Sequence, residues 1–196
     1  MGEPKSAAGP RLQQRVALDS EVLAVPLSDA DYVRGPADAA VTLLEYGDYE
    51  CFYCGAAENI LRVVQERLAS PIRVAFRHFP LAEIHQHAEF AALAAEAAGA
   101  QGKFWQMHAW LFQNQRSLDV AQMVQEAANL GLDVERFRAD LEGQVGRARI
   151  EADLEGGLQS GVTGVPSFFI NGVRHLGNYR PDGLVPALVA AGAHEK

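Results

Sequence analysis

The sequence predicts an α/β chain in which a strand-helix-strand unit is separated from a closing hairpin and a last helix by a wholly helical stretch. Three observations predict it. The apolar run Val41-Thr42-Leu43-Leu44-Glu45-Tyr46 stops just before Cys51-Phe52-Tyr53-Cys54, where a helical periodicity begins. Ile72 to Phe79 alternates apolar and polar residues and ends at Pro80. From His85 to Gly161 the apolar spacing is almost everywhere that of helix, broken at Gly102, Gly131 and Gly143.

Taken in order, residues 1–20 read as a flexible tail, the first fifteen being rich in Gly, Pro, Ser, Ala and Gln without useful periodicity. Val22 to Pro26 suits a short edge strand, and Arg34-Gly35-Pro36-Ala37-Asp38 is a turn cluster leading into the strand at 41–46. A helix follows from about Phe52 to Ala69, with Ile60, Leu61, Val63, Val64 and Leu68 on one face and charges largely on the others. The strand at 72–79 then runs parallel to the first, because a helix between them makes a βαβ unit. Helices are expected at 88–99, 103–114, 118–130, 133–141 and 146–159, an insertion of roughly 75 residues. Ser167 to Ile170, the turn Asn171-Gly172, a short strand at Val173 to Leu176 and a helix at Asp182 to Ala191 complete the chain.

A chain of 196 residues is long enough to bury a core without disulfide staples. The net charge of -8 and pI near 5.2, with no Lys/Arg cluster, argue against nucleic acid as a partner. No apolar stretch approaches the ~20 residues of a membrane span. The first twenty residues lack the apolar core of a secretion signal, so the chain as written is expected in the cytoplasm, or in the periplasm or outside the cell if its N-terminus was processed or truncated. It is expected to be a monomer without a cofactor.

Cys51 and Cys54 are the only two cysteines. A lone pair at this spacing is either a redox couple or half of a metal site. His85-Gln86-His87 is able to complete a four-ligand zinc site, but the cysteines open one helix and the histidines another after a Pro-bounded strand, and no metal is expected. Strand before and helix after put the first sulfur at a helix N-terminus, where a thiolate is stabilised and reactive. Glu45, in a strand apolar enough to be central, is expected beneath the sulfurs, and a buried carboxyl has a raised pKa and takes up protons. We expect it to pass a proton to or from Cys54. His78 and His108 are read as packing or hydrogen-bonding residues, and Asp48 and Glu50 as solvated charges at the rim. Phe52, Tyr49, Tyr53 and Trp105 are candidates to shape an apolar groove beside the sulfurs, the two aromatics of the motif pointing outward; Trp105 and Phe104 equally suit the core. In Gly161-Val162-Thr163-Gly164-Val165-Pro166-Ser167-Phe168-Phe169-Ile170 a proline opens a strand, one of the few strand positions it tolerates.

Leu44 to Cys54, Arg77-His78-Phe79-Pro80-Leu81, Gly102-Lys103-Phe104-Trp105 and Gly164 to Gly172, in that order, resemble the DsbA family of thiol-disulfide oxidoreductases over roughly residues 22–192. The resemblance implies a thioredoxin-like fold with an inserted all-helical domain: residues 21–84 and 161–196 would form the first and 85–160 the second. It implies that Cys51 is the nucleophile, that Cys54 resolves the mixed disulfide, that Glu45 is buried, and that Pro166 follows a cis bond which turns the Val165 backbone toward an extended substrate. Phe52 and Tyr53 stand where strongly oxidising members carry Pro-His. The Cys51 pKa is therefore expected below the free value of about 8.5 but above the extreme of about 3.5. The expected function is disulfide exchange with protein or peptide substrates, served by an unidentified redox partner. The alternatives are a glutathione-linked transferase or isomerase, against which the paired thiols count, and a non-enzymatic redox sensor.

Overall fold

The computed structural model describes residues 21–196, so the tail expected at 1–20 lies outside the described residues. Five strands form one sheet in the order β1-β3-β2-β4-β5. At its centre β2 (Thr42–Gly47) runs parallel to β3 (Arg73–His78), with Thr42 opposite Arg73 and Gly47 opposite His78, and α1 (Phe52–Arg67) crosses between them. β4 (Ser167–Ile170) lies antiparallel on the other side of β2, pairing Glu45 with Phe168. β2 and β4 are covered on both faces, which is why they read as near-continuous apolar runs rather than as alternation.

The edges differ from expectation. β1 (Tyr32–Arg34) pairs antiparallel with β3, so Arg34 ends a strand rather than opening a turn. Gly35 stops that strand at φ +103, where a Cβ would sit 2.4 Å from the Ile72 carbonyl oxygen. The strand expected at 22–26 shrinks to one bridge between Val22 and Val173. Beyond it the buried Arg77 guanidinium donates to the carbonyls of Val25 (2.7 Å) and Pro26 (3.0 Å) and to Asp31 (2.7 Å), taking acceptors that a strand would have paired. β5 (Val173–Arg174) extends the other edge.

Between β3 and β4 lie α2 (Ala88–Gly99), α3 (Phe104–Gln113), α4 (Val120–Asn129), α5 (Val134–Glu142) and α6 (Arg147–Gln159); α7 (Pro181–Ala190) closes the chain. Alanine fills most of α2, which is buried almost all round, and so lets its neighbours approach closely. On α6, Gly157 leaves room for the Phe79 ring, 2.7 Å from where a Cβ would stand, so this helix lies against the sheet. One apolar cluster sits between the sheet and α1 with α7, and another on the opposite face around Tyr46 and Phe169. The third is the core of the inserted helices, and it reaches Tyr49, Cys51, Cys54 and Phe76. The cysteines therefore stand where the inserted helices meet the sheet.

Candidate active site

β2 delivers the chain to the site. It ends at Gly47, and Cys51 then caps α1 in extended geometry, φ -72 and ψ 119. The Cys51 carbonyl accepts the amides of Cys54 (3.1 Å) and Gly55 (3.2 Å), which starts the helix. Cys51 is 6 % exposed and Cys54 is wholly buried, both as free thiols. The Cys54 thiol donates to the Cys51 sulfur, and although burial opposes it, this bond together with the backbone amides of Cys54 and Tyr53 holds the Cys51 pKa at about 6. That value falls inside the window expected from the motif. Burial pushes the Cys54 thiol strongly upward, and its position as donor to Cys51 and the nearby Glu45 carboxyl add to the shift. The sulfur of Cys51 lies 3.8 Å from the Val165 carbonyl oxygen, on the loop whose Val165-Pro166 bond is cis.

Glu45 is 2 % exposed, and its Oε1 has no hydrogen-bond partner. Burial raises its pKa well above the ordinary carboxyl value; Glu58 and Cys51 push the same way and Arg34 pulls back. Glu58, one turn beyond Cys54 on α1, pairs with Arg34 at 3.1 Å. Burial alone would raise Glu58, but His108 and Arg34 outweigh it and hold it at about 2. His108 is itself buried, which lowers its pKa; its Nδ1 lies 3.1 Å from the Tyr49 hydroxyl and its Nε2 3.6 Å from Glu58. A cavity of about 260 Å³ opens beside Arg34, Glu58 and Asn59, between α1 and α3.

Two expectations are corrected. Asp48 is not a solvated rim charge: it is 2 % exposed, and its carboxylate accepts from the Glu50 amide (2.7 Å), the Leu81 amide (2.8 Å) and His85 Nδ1 (2.8 Å). Its neighbour Glu50 is half-buried and accepts from the amide and Nδ1 of His87, at 2.6 and 2.9 Å. These donors all come from the β3–α2 loop or the turn itself, which is why carboxylates are tolerated there. Tyr49 does not line a groove either; it is 1 % exposed among Phe76, Phe112 and His108. Trp105 is half-buried with the Arg34 guanidinium 4.6 Å over its ring. Phe52 and Tyr53 do point outward, 74 % and 62 % exposed, edge to face. His78 is buried against Glu96 at 2.9 Å, in the packing role expected of it.

Several participants escaped the sequence reading. Gln115, from the segment after α3, donates to the carbonyls of Tyr49 (2.9 Å) and Cys51 (2.8 Å), and Gly55 makes room for it. Nothing local marks a glutamine as a clamp. Glu58 was legible in principle, since four residues past Cys54 falls on the same helix face.

A model of the DSBA-like thioredoxin domain matches residues 42–189. Among curated proteins, the Na(+)/H(+) antiporter NhaA 1 of Salinispora arenicola is 46% identical over 170 residues, 86% of this chain but 26% of that protein. The chain thus spans about a quarter of the curated relative, and the antiporter name describes that whole protein. Among solved structures, oxidised BdbD from Bacillus subtilis superposes with a TM-score of 0.77 at 20% identity, over 88% of this chain and 98% of that one. A thioredoxin-like oxidoreductase from Silicibacter pomeroyi superposes with a TM-score of 0.72 at 27% identity, over 84% and 93%. The sheet with its inserted helices is thus thioredoxin-like, and this chain belongs to the DSBA-like thioredoxin domain family and carries the fold of a thiol-disulfide oxidoreductase.

Proposed function

We propose that the chain exchanges disulfides with protein substrates through Cys51 and Cys54. One observation carries this reading: two sulfurs at the head of one helix differ sharply in proton affinity, Cys51 held at about 6 and Cys54 pushed far up. At neutral pH Cys51 is then a thiolate able to attack or leave, while Cys54 keeps its proton until it must react.

In the oxidising direction a substrate thiolate attacks Cys51 of the Cys51-Cys54 disulfide. The S–S bond breaks, Cys54 departs with the electron pair, and the protonated Glu45 carboxyl supplies its proton. A second substrate thiolate then attacks the substrate sulfur of the mixed disulfide and releases Cys51 as thiolate. In the reverse direction Cys51 thiolate attacks a substrate disulfide, and Glu45 takes the proton from Cys54 as Cys54 resolves the mixed disulfide. Val165, ahead of Pro166, offers its backbone to an extended peptide beside the sulfur, and Phe52 and Tyr53 give that peptide apolar contact. The division into a thioredoxin-like domain (21–84 with 161–196) and an inserted helical domain (85–160) belongs to this reading, supported by the place of α2–α6 between β3 and β4. An electron partner of the thiol-disulfide class completes the cycle. A DsbA-like fold suits an extracytoplasmic setting, and no helix among the described residues is long and apolar enough to cross a membrane.

The test is turnover. The protein is expected to accelerate insulin reduction or oxidative refolding, Cys51→Ser to abolish that activity, and Cys54→Ser to accumulate mixed disulfides. Equal activity in the two variants, or an intact protein that changes shape on oxidation without turnover, defeats the reading in favour of a sensor. With Cys51 at about 6, between thioredoxin at about 7 and the strong oxidant at about 3.5, the reduction potential is expected between about -270 and -120 mV.

A further inference from the structure

Asp48 poses a problem for Cys51. A buried carboxylate three residues before a nucleophilic thiolate repels it, and Asp48 does push the Cys51 pKa up. Its side chain is wholly shielded from solvent, so water does not screen the charge. The amides of Glu50 and Leu81 satisfy its oxygens without removing the charge. The cation within reach is His85, whose Nδ1 stands 2.8 Å from Asp48 Oδ2 and whose ring is 21 % exposed, so that it exchanges protons freely with solvent.

Resting on the assignment of Cys51 as nucleophile, we propose that His85 is a positioning residue for Cys51: as an imidazolium bonded to Asp48 it neutralises the buried charge behind the thiolate and pins the Asp48-to-Cys51 turn to the β3–α2 loop. Asp48 makes this coupling short, because its carbonyl also accepts the Cys51 amide at 3.2 Å. In this way a histidine outside the motif takes up the electrostatic work for which Phe52 and Tyr53 have no charge.

Among the described residues, charged groups from two segments face His85. From the β2–α1 segment they are Asp48, Cys51 and Glu50, each of which favours its charged form, against the opposing effect of partial burial. Glu50 is engaged with His87 on the same loop as His85, and Arg116 lines a surface pocket together with Glu50. The net effect is a raised His85 pKa.

The coupling is reciprocal: if protonated His85 stabilises the thiolate, the thiolate stabilises protonated His85 by the same amount. Titrating the His85 ring by NMR in the intact protein therefore needs no variant. Its midpoint is expected higher in the reduced protein, where Cys51 is a thiolate, than in the disulfide form, by about half a unit or more. Equal midpoints overturn the proposal, even if insulin turnover proves the enzyme active. Loss of turnover in wild type with the midpoints still separated instead defeats only the functional reading.

Variants then separate charge from shape. His85→Gln keeps a donor for Asp48 but loses the charge; the alkylation midpoint of Cys51 is expected to rise by about half to one unit, cutting the thiolate-to-thiol ratio roughly three- to tenfold. Asp48→Asn in the same background is expected to bring the midpoint back down. His87→Gln, which acts on the more exposed Glu50, is expected to shift it by less than His85→Gln does. A midpoint unmoved by His85→Gln, or not restored by Asp48→Asn, refutes the role.

Discussion

Glu45 and Asp48 flank the same strand end, and each is about 2 % exposed, yet they occupy opposite environments. Asp48 accepts three hydrogen bonds from the turn and the neighbouring loop, whereas Glu45 presents one oxygen, Oε1, to nothing at all. Burial is therefore a poor guide to what a carboxyl does. A fully bonded one holds parts together, while an unpaired one is destabilised in its charged form and gains by holding a proton. The first stands beside Cys51 and raises its pKa, and the second stands near Cys54 and raises the pKa of that thiol.

The sharpest way to break this contrast is to remove both groups and compare signs. Asp48→Ala strands the amides of Glu50 and Leu81 and the His85 ring, and is expected to cost about 3–5 kcal/mol in urea unfolding of the reduced protein. Glu45→Leu removes an unsatisfied group from an apolar place and is expected to stabilise by about 1–3 kcal/mol while slowing release of mixed disulfides. Two destabilising results would place Glu45 in the same class as Asp48.

The next effect is in pH. The folded Glu45 pKa lies above its unfolded value of about 4.3, so its contribution is fully present below that value and is lost as pH rises toward the folded pKa. Wild type and Glu45→Gln should therefore run in parallel below about pH 4 and diverge above it, wild type losing stability relative to the variant. Glu58 has the opposite sign: held at about 2, it contributes stability above its unfolded value, and that stability is lost on acidification from about 4.3 to 2. A Glu58→Gln variant that kept the wild-type acid limb would contradict the Arg34 and His108 pairing.

The contrast also shows what a sequence discloses. The helices, the parallel β2–β3 pair and the cysteine helix were legible because period and glycine breaks are local, and the helix at 88–99 matches its expected bounds. Glu45 stood out because a lone carboxyl interrupts an apolar run, and that interruption is as local as a period. Asp48 did not, because its partners Leu81 and His85 are more than thirty residues away and arrive only when β3 pairs with β2. The same holds for β1, whose three residues become a strand only by pairing with β3. Gln115, some sixty residues from the carbonyls it binds, left no trace at all.

Gln115 offers a smaller test of how the turn is held. It donates to the carbonyls of Tyr49 and Cys51, and a Cβ on Gly55 would stand 2.2 Å from its Oε1. Gln115→Ala and Gly55→Ala are each expected to cost about 1–2 kcal/mol. In the Gln115→Ala background the clash is gone and Gly55→Ala should instead stabilise by up to about 1 kcal/mol, the helix preference of alanine over glycine. Additive losses in the double variant would show that Gly55 is needed for some other reason.

The smallest effect on stability is expected where the motif meets solvent. Phe52 and Tyr53 are 74 % and 62 % exposed and meet edge to face, so the fold gains little from them. Phe52→Ser and Tyr53→Ser should change unfolding free energy by less than about 0.5 kcal/mol. Apolar rings left in water beside a reactive sulfur make sense if a substrate covers them, so the same variants should raise KM for an unfolded protein disulfide severalfold while leaving the alkylation midpoint of Cys51 in place. A shifted midpoint with unchanged KM would mean that the aromatics tune the sulfur, as Asp48 and His85 do, and that substrates are gripped by the backbone beside Val165 alone.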